Sequence, residues 1–226
     1  MSANAPVTAS DFWNSLRGVG RLVYDEIIPI SIISLAATVF AVPLLTIGPI
    51  CIAAVATMTE IAERRGSARP RSERQRARAF PAAIRRYFRA GLPFSLLICF
   101  TLLNLVTYVL LATANDSVVF WLGAALALYT LIALVALTFR AGSLLVRAED
   151  PPGTRALVSE SVDVWLRSPW YSLLHLLVAG LVFVGTLLVT PAAMLLLAGT
   201  LATLEVVVFA DLAEGGSKKF FEQSDE

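Results

Sequence analysis

The chain has 226 residues, of which 57% are hydrophobic and 15% charged, with a mean hydropathy of +0.74. Soluble domains carry about 25% charged residues, and here the apolar residues fall in blocks longer than the ~18 residues read as a membrane span. A soluble domain is excluded, and an all-α integral membrane protein is expected.

The net charge is +1, yet sixteen of the eighteen basic residues are Arg and ten of those lie within 64–89. A nearly neutral mean thus conceals one strongly basic segment. Cys51 and Cys99 fall in apolar segments, where a free Cys behaves as a small hydrophobe. They supply no disulfide framework, no metal site and no cofactor site. Residues 1–27 lack the cationic region, apolar core and cleavage site of a signal peptide.

In chain order, "SDFWNSLRGVGRLVYDEIIP" comes first, with Phe12, Leu16, Val19, Val23 and Ile27 on one helical stripe. An apolar block follows over 27–62. As one straight helix it would be ~54 Å long, against a hydrocarbon core of ~30 Å. Gly48-Pro49 is a turn signal, and Pro suits the first position of a new helix. The block is therefore divided into spans near 28–47 and 49–64, with "TIGP" as an outer hairpin tip. Next, "RRGSARPRSERQRAR" has no apolar stripe. It reads as a basic cytoplasmic loop over 64–79 that attracts anionic lipid headgroups, at ~1 kcal/mol per basic residue. No aromatic residues interleave with its Arg residues, which argues against nucleic acid as a partner.

In "AFPAAIRRYFRAG", Phe80, Ile84, Tyr87 and Phe88 form one face and Arg85, Arg86 and Arg89 the other, the latter set to meet lipid headgroups. Spans near 91–114 and 118–146 follow, separated by the polar turn "ANDS". In "RALVSESVDVWLRSP", Leu157, Val158, Val162, Trp165 and Leu166 oppose Ser159, Glu160, Asp163 and Arg167. The last apolar block divides at Thr190-Pro191 into spans near 170–189 and 191–211. The expected architecture is polytopic: six transmembrane helices in three hairpins, each preceded by an interfacial amphipathic helix. The same stripes also suit packing on the cytoplasmic ends of the spans. The positive-inside rule places the basic loop and both termini in the cytoplasm and the chain in the plasma membrane. Residues 10–213 form one membrane domain between flexible ends at 1–9 and 214–226.

Ionisable residues at membrane depth are functional candidates. Glu205 lies ~21 Å from the Pro191 tip and Glu60 ~16 Å from the Pro49 tip at 1.5 Å per residue. His175, about one turn inside Trp170-Tyr171, falls at the depth of Glu205. Asn104 lies mid-way along its span, and Thr57 and Thr59 flank Glu60. Glu60, Asn104, His175 and Glu205 are thus candidates for a cytoplasm-facing polar pocket that holds a small solute or relays a proton. Two other readings stand: a Glu–His pair that holds helices together, and carboxylates at the cytoplasmic ends of low-sitting helices. Arg140, ~33 Å along its helix from Val118, is expected to snorkel or reach the surface. Gly123 with Ala127, Ala198 with Ala202, and Gly199 with Thr203 have the small-residue spacing of close helix contacts.

"VPLLTIGPICIAA", the basic segment and "FPAAIRRYFRAGLPFSLL", with "SPWYSLL" later on, resemble the YesL-like family of small bacterial and archaeal membrane proteins. The family's P-x-x-T-x-G-P run falls here on Pro43, Thr46, Gly48 and Pro49, and its amphipathic helix loosely on Phe80, Ile84, Arg85 and Phe88. The resemblance implies at most a link to solute transport and no catalytic residue. Two functions follow as expectations. One is an accessory or scaffold component of a membrane complex, partnered by another membrane protein or by a second copy. The other is a small transporter or channel. An enzyme is not expected, since one His and no metal-ligand spacing or phosphate loop offer little chemistry.

Overall fold

A computed structural model of the protein describes residues 9–63, 73–148, 152–167, 169–188 and 190–214. All the described elements are helical: α1 (Ala9–Asp25), α2 (Ile27–Phe40), a short 3-10 turn (Leu44–Thr46), α3 (Ile47–Glu63), α4 (Glu73–Asn115), α5 (Val118–Arg147), α6 (Thr154–Arg167), α7 (Pro169–Leu188) and α8 (Thr190–Glu214). Among the described residues, three stretches are long and apolar enough to cross a membrane: Leu44–Glu63, Ala79–Asn115 and Val118–Arg147. A fourth is reached if α1 and α2, bent by 84°, count as one broken span. The all-α membrane class is thus as expected.

The boundaries differ from the sequence reading in two places. The chain turns over 41–46, before Gly48-Pro49, which lie in the first turn of α3 and are buried. Each residue of the "PxxTxGP" run has a local task there. Pro43 is extended (φ −79°, ψ 102°) and stops the chain from continuing α2. The Thr46 hydroxyl lies between the Phe40 and Pro43 carbonyls, 2.6 Å from the latter, and closes the turn. The Gly48 N–H is one of the donors a helix start leaves without a partner, and it donates to Ser95 Oγ at 2.8 Å. Pro49 has no N–H to satisfy. A Cβ on Gly48 would collide with the Gly91 carbonyl, and one on Gly91 with the backbone of Pro49. Two backbones therefore touch, and the expected outer tip is instead a buried crossing of α3 and α4.

The second difference is α4, a single helix from Glu73 to Asn115 that contains Pro81 and Pro93. The amphipathic stretch at 80–89 is its first half and not a separate interfacial helix, and the basic loop is helical from Glu73; residues 64–72 lie outside the described ones. The continuity follows from one seam. Phe80, Ile84, Gly91, Phe94 and Ile98 are buried along one face at helical spacing, across both prolines. Of the ends expected to be flexible, 1–8 and 215–226 lie outside the described residues, while Ala9 opens α1 and Glu214 closes α8.

The turn between α4 and α5 is where the polar "ANDS" places it, with Asp116 at φ 45°, a left-handed conformation that Asp tolerates. Gly123 of α5 faces Tyr108 of α4, so the two run antiparallel. Lower down, α5 leaves this hairpin and enters a bundle. Gly142 meets Ile52 and Val55 of α3, and Ala141 and Leu145 pack with Phe94 and Leu157, the latter from α6. The second half of α8 is buried from Ala202 to Ala210. Around it stand α1 through Phe12, Val19 and Leu22, and α2 through Ile30, Ile33 and Ala37. Gly199 brings α8 onto α2: its N–H donates to Ser34 Oγ at 2.8 Å, and a Cβ there would lie 2.8 Å from the Ile30 carbonyl. Phe12, Val19 and Val23 of the α1 stripe thus pack against protein, while Ile27 belongs to α2 and is exposed. On α6, Leu157 is buried while Val162 and Leu166 stay exposed.

Candidate functional site

At the centre of the bundle, α5, α7 and α8 each bring one ionisable side chain to the same point. Arg140 is 0% exposed, Glu205 2% and His175 9%. Arg140 Nε approaches Glu205 Oε1 at 2.9 Å, but its N–H is not aligned on that oxygen, so the contact is ionic. Ser143, one turn along α5, donates to the same oxygen at 3.4 Å. His175 Nδ1 lies 3.5 Å from Arg140 Nη2, and His175 Nε2 lies 3.6 Å from Glu205 Oε2. A guanidinium has donors and no lone pair, so His175 Nδ1 accepts. The imidazole is then neutral and carries its proton on Nε2, facing Glu205.

Phe209, one turn beyond Glu205, supplies the remaining wall. The guanidinium of Arg140 lies 5.5 Å and that of Arg147 4.7 Å from its ring centroid, within the ~6 Å range of cation–π attraction. Arg147 also donates to the Ser143 carbonyl at 3.4 Å. The cluster ties three helices together. Its charged atoms are buried, which suits a structural junction.

Of the four candidate pocket residues, His175 and Glu205 do meet. Glu60 is elsewhere, on α3, where it lines a cavity of about 440 Å³ between α3 and the first half of α4. Asn104 sits about 13 Å along α4 beyond Ser95, and its Nδ2 donates to the Phe100 carbonyl at 2.8 Å on its own helix. Arg85, Arg86 and Arg89 are exposed on α4 as their spacing requires. Arg86 also folds over the Tyr87 ring at 5.3 Å and lines the cavity.

The expectation for Arg140 is overturned: it neither snorkels nor reaches the surface but is the most deeply buried charge described. Counting length from Val118 missed it because α5 enters protein, not water, at its lower end. The signal was present as Arg140, Ser143 and Arg147 at i, i+3 and i+7, one polar stripe in an apolar helix. Among the described residues no group of three or more His, Cys, Asp or Glu is placed to hold a metal.

No family model matches the chain, and no curated protein or solved structure matches it. The resemblance to the YesL-like family rests on the short motifs alone.

Proposed function

We propose that the protein is an accessory or scaffold component of a plasma-membrane complex, with both termini cytoplasmic. In this reading α7 and α8 cross the membrane beside α4 and α5. The short α2–α3 hairpin enters from the cytoplasmic side and returns to it, because the partner of its turn, Ser95, stands ~30 Å along α4 before Asn115. The observation that carries the reading is the closure of the charge cluster. Arg140, His175 and Glu205 bind each other and join three helices, where a transport path would expose them to a solute. The outer part of the α4–α5 hairpin, with Leu103, Leu110, Leu122 and Leu126 exposed, supplies the surface for a membrane-embedded partner.

The test is purification of the tagged protein in native lipid discs, with photo-crosslinking side chains at Leu103 and Leu122. A stoichiometric crosslinked membrane protein is expected. Recovery of the uncrosslinked chain alone, together with solute flux in reconstituted liposomes, overturns the reading. That result would favour a small transporter, for which the cavity beside Glu60 is the specific observation.

A further inference from the structure

The cavity between α3 and α4, unlike the buried cluster, has open space beside its charges. It is open to the surroundings and holds about 440 Å³, within the ~300–1,000 Å³ of small-molecule sites. Its size has a sequence cause. Ala56, Ala79, Ala82 and Ala83 face one another across it, so two helices that touch at Gly48 and Gly91 are left unfilled further along.

Its charges are sorted by wall. Glu60 and Glu63 come from α3, while Arg86 comes from α4 with its guanidinium 5.3 Å from the Tyr87 ring. One side therefore favours an ammonium group and the other a carboxylate, which a guanidinium holds by paired donors. A further feature points to a missing partner. Thr57 and Thr59 both line the cavity. The Thr57 hydroxyl donates to the Ala53 carbonyl at 2.8 Å, the usual outlet in a helix. Thr59 is 1% exposed, and its hydroxyl has no hydrogen-bond partner. A buried hydroxyl left so costs ~1–3 kcal/mol.

The geometry points to a binding site for a small zwitterion, an amino acid or similar molecule with one ammonium and one carboxylate group, held between Glu60 and Glu63 on α3 and Arg86 on α4. The site does not depend on the accessory reading: a scaffold that senses such a molecule and a carrier that moves it would need the same contacts.

The test is thermal unfolding of the full chain in detergent with three sets of probes. These are α- and ω-amino acids, the corresponding amines, and the corresponding carboxylates. At least one amino acid is expected to raise the melting temperature in a saturable way, with amine and carboxylate analogues at least tenfold weaker. Ala82→Leu, at an exposed position, fills the cavity and should abolish the shift while leaving the ligand-free melting point in place. Arg86→Gln should weaken carboxylate-bearing probes and leave the amines unchanged. No saturable shift with any amino acid overturns the proposal, as do analogues equal to the amino acid or an Ala82→Leu protein that still responds. Any of these results leaves the crosslinking test of the accessory reading untouched.

Discussion

Along the outer part of α5, Leu122, Leu126, Tyr129 and Ile132 stand 49–71% exposed, whereas Thr138, Arg140, Ala141 and Ser143 near its other end are at 0%. The same contrast holds on α4 between Leu103 or Leu110 and the buried seam from Phe80 to Ile98. The α4–α5 hairpin is predominantly apolar where it is exposed, and its exposed Thr107 and Thr130 donate within their own helices, which suits a lipid-facing surface. The inner bundle can hold an Arg and a Glu because protein surrounds them and each meets an opposite charge. The buried charges on α5 and α8 thus mark where protein packs against protein, while Arg85, Arg86 and Arg89 on α4 stay exposed.

Removing one charge of the buried pair would break that contrast most severely. Arg140→Leu leaves Glu205 buried without its counter-charge, a change worth ~3–5 kcal/mol. Loss of folded protein is expected in fluorescence size-exclusion chromatography. Arg140→Leu combined with Glu205→Leu should recover much of the loss, since a buried pair often contributes little net stability over apolar replacements. A double variant no more stable than the single one would mean that the pair does not act as a unit.

Gly91→Val comes next. It drives a side chain into the backbone of Pro49 at the α3–α4 crossing. Overpacking usually costs ~1–3 kcal/mol, and here the obstacle is backbone that cannot rotate away. A fall in melting temperature well beyond that of Gly180→Val is expected, because a Cβ at Gly180 meets nothing within 4 Å.

These positions also show what the sequence could and could not disclose. The helical class, the turn at Asn115-Asp116, and the pairing of His175 with Glu205 follow from block lengths and equal depth. Gly199 with Thr203 forms a buried helix face, and Gly199 touches Ile30, as the four-residue spacing suggests. The position of the α2–α3 turn did not follow, because Gly-Pro signals a turn and a helix start equally well. Gly48 is glycine for its contact with Gly91, a residue far away in the chain. The continuity of α4 was hidden by Pro93 and by a change from basic to apolar composition at a point where the buried seam does not change. Arg140 was misplaced because length along a helix measures depth only when the helix meets water at its end.

Ser95→Ala sharpens the same crossing with a smaller change. It removes the oxygen that accepts from the Gly48 N–H at 2.8 Å, leaving a buried donor of the first turn of α3 without a partner, at ~1–3 kcal/mol. Ser95→Thr keeps the hydroxyl and should restore part of the loss. If Ala and Thr behaved alike, packing volume and not the hydrogen bond would hold the turn of α3 on α4.

The smallest effect belongs to the outer hairpin. Leu122→Ala removes a side chain that is 65% exposed, so the isolated protein in detergent should change by no more than ~0.5 kcal/mol. The measurement that gives this variant its value is made in native lipid discs. If α4–α5 meets a partner, truncating Leu103, Leu122 and Leu126 together should reduce the recovered partner several-fold while the melting temperature of the isolated chain stays in place. Equal recovery from the triple variant would return this surface to lipid alone and move the accessory contact to another face of the bundle. The outer hairpin would then differ from the inner bundle only in the solvent it meets, and not in what it binds.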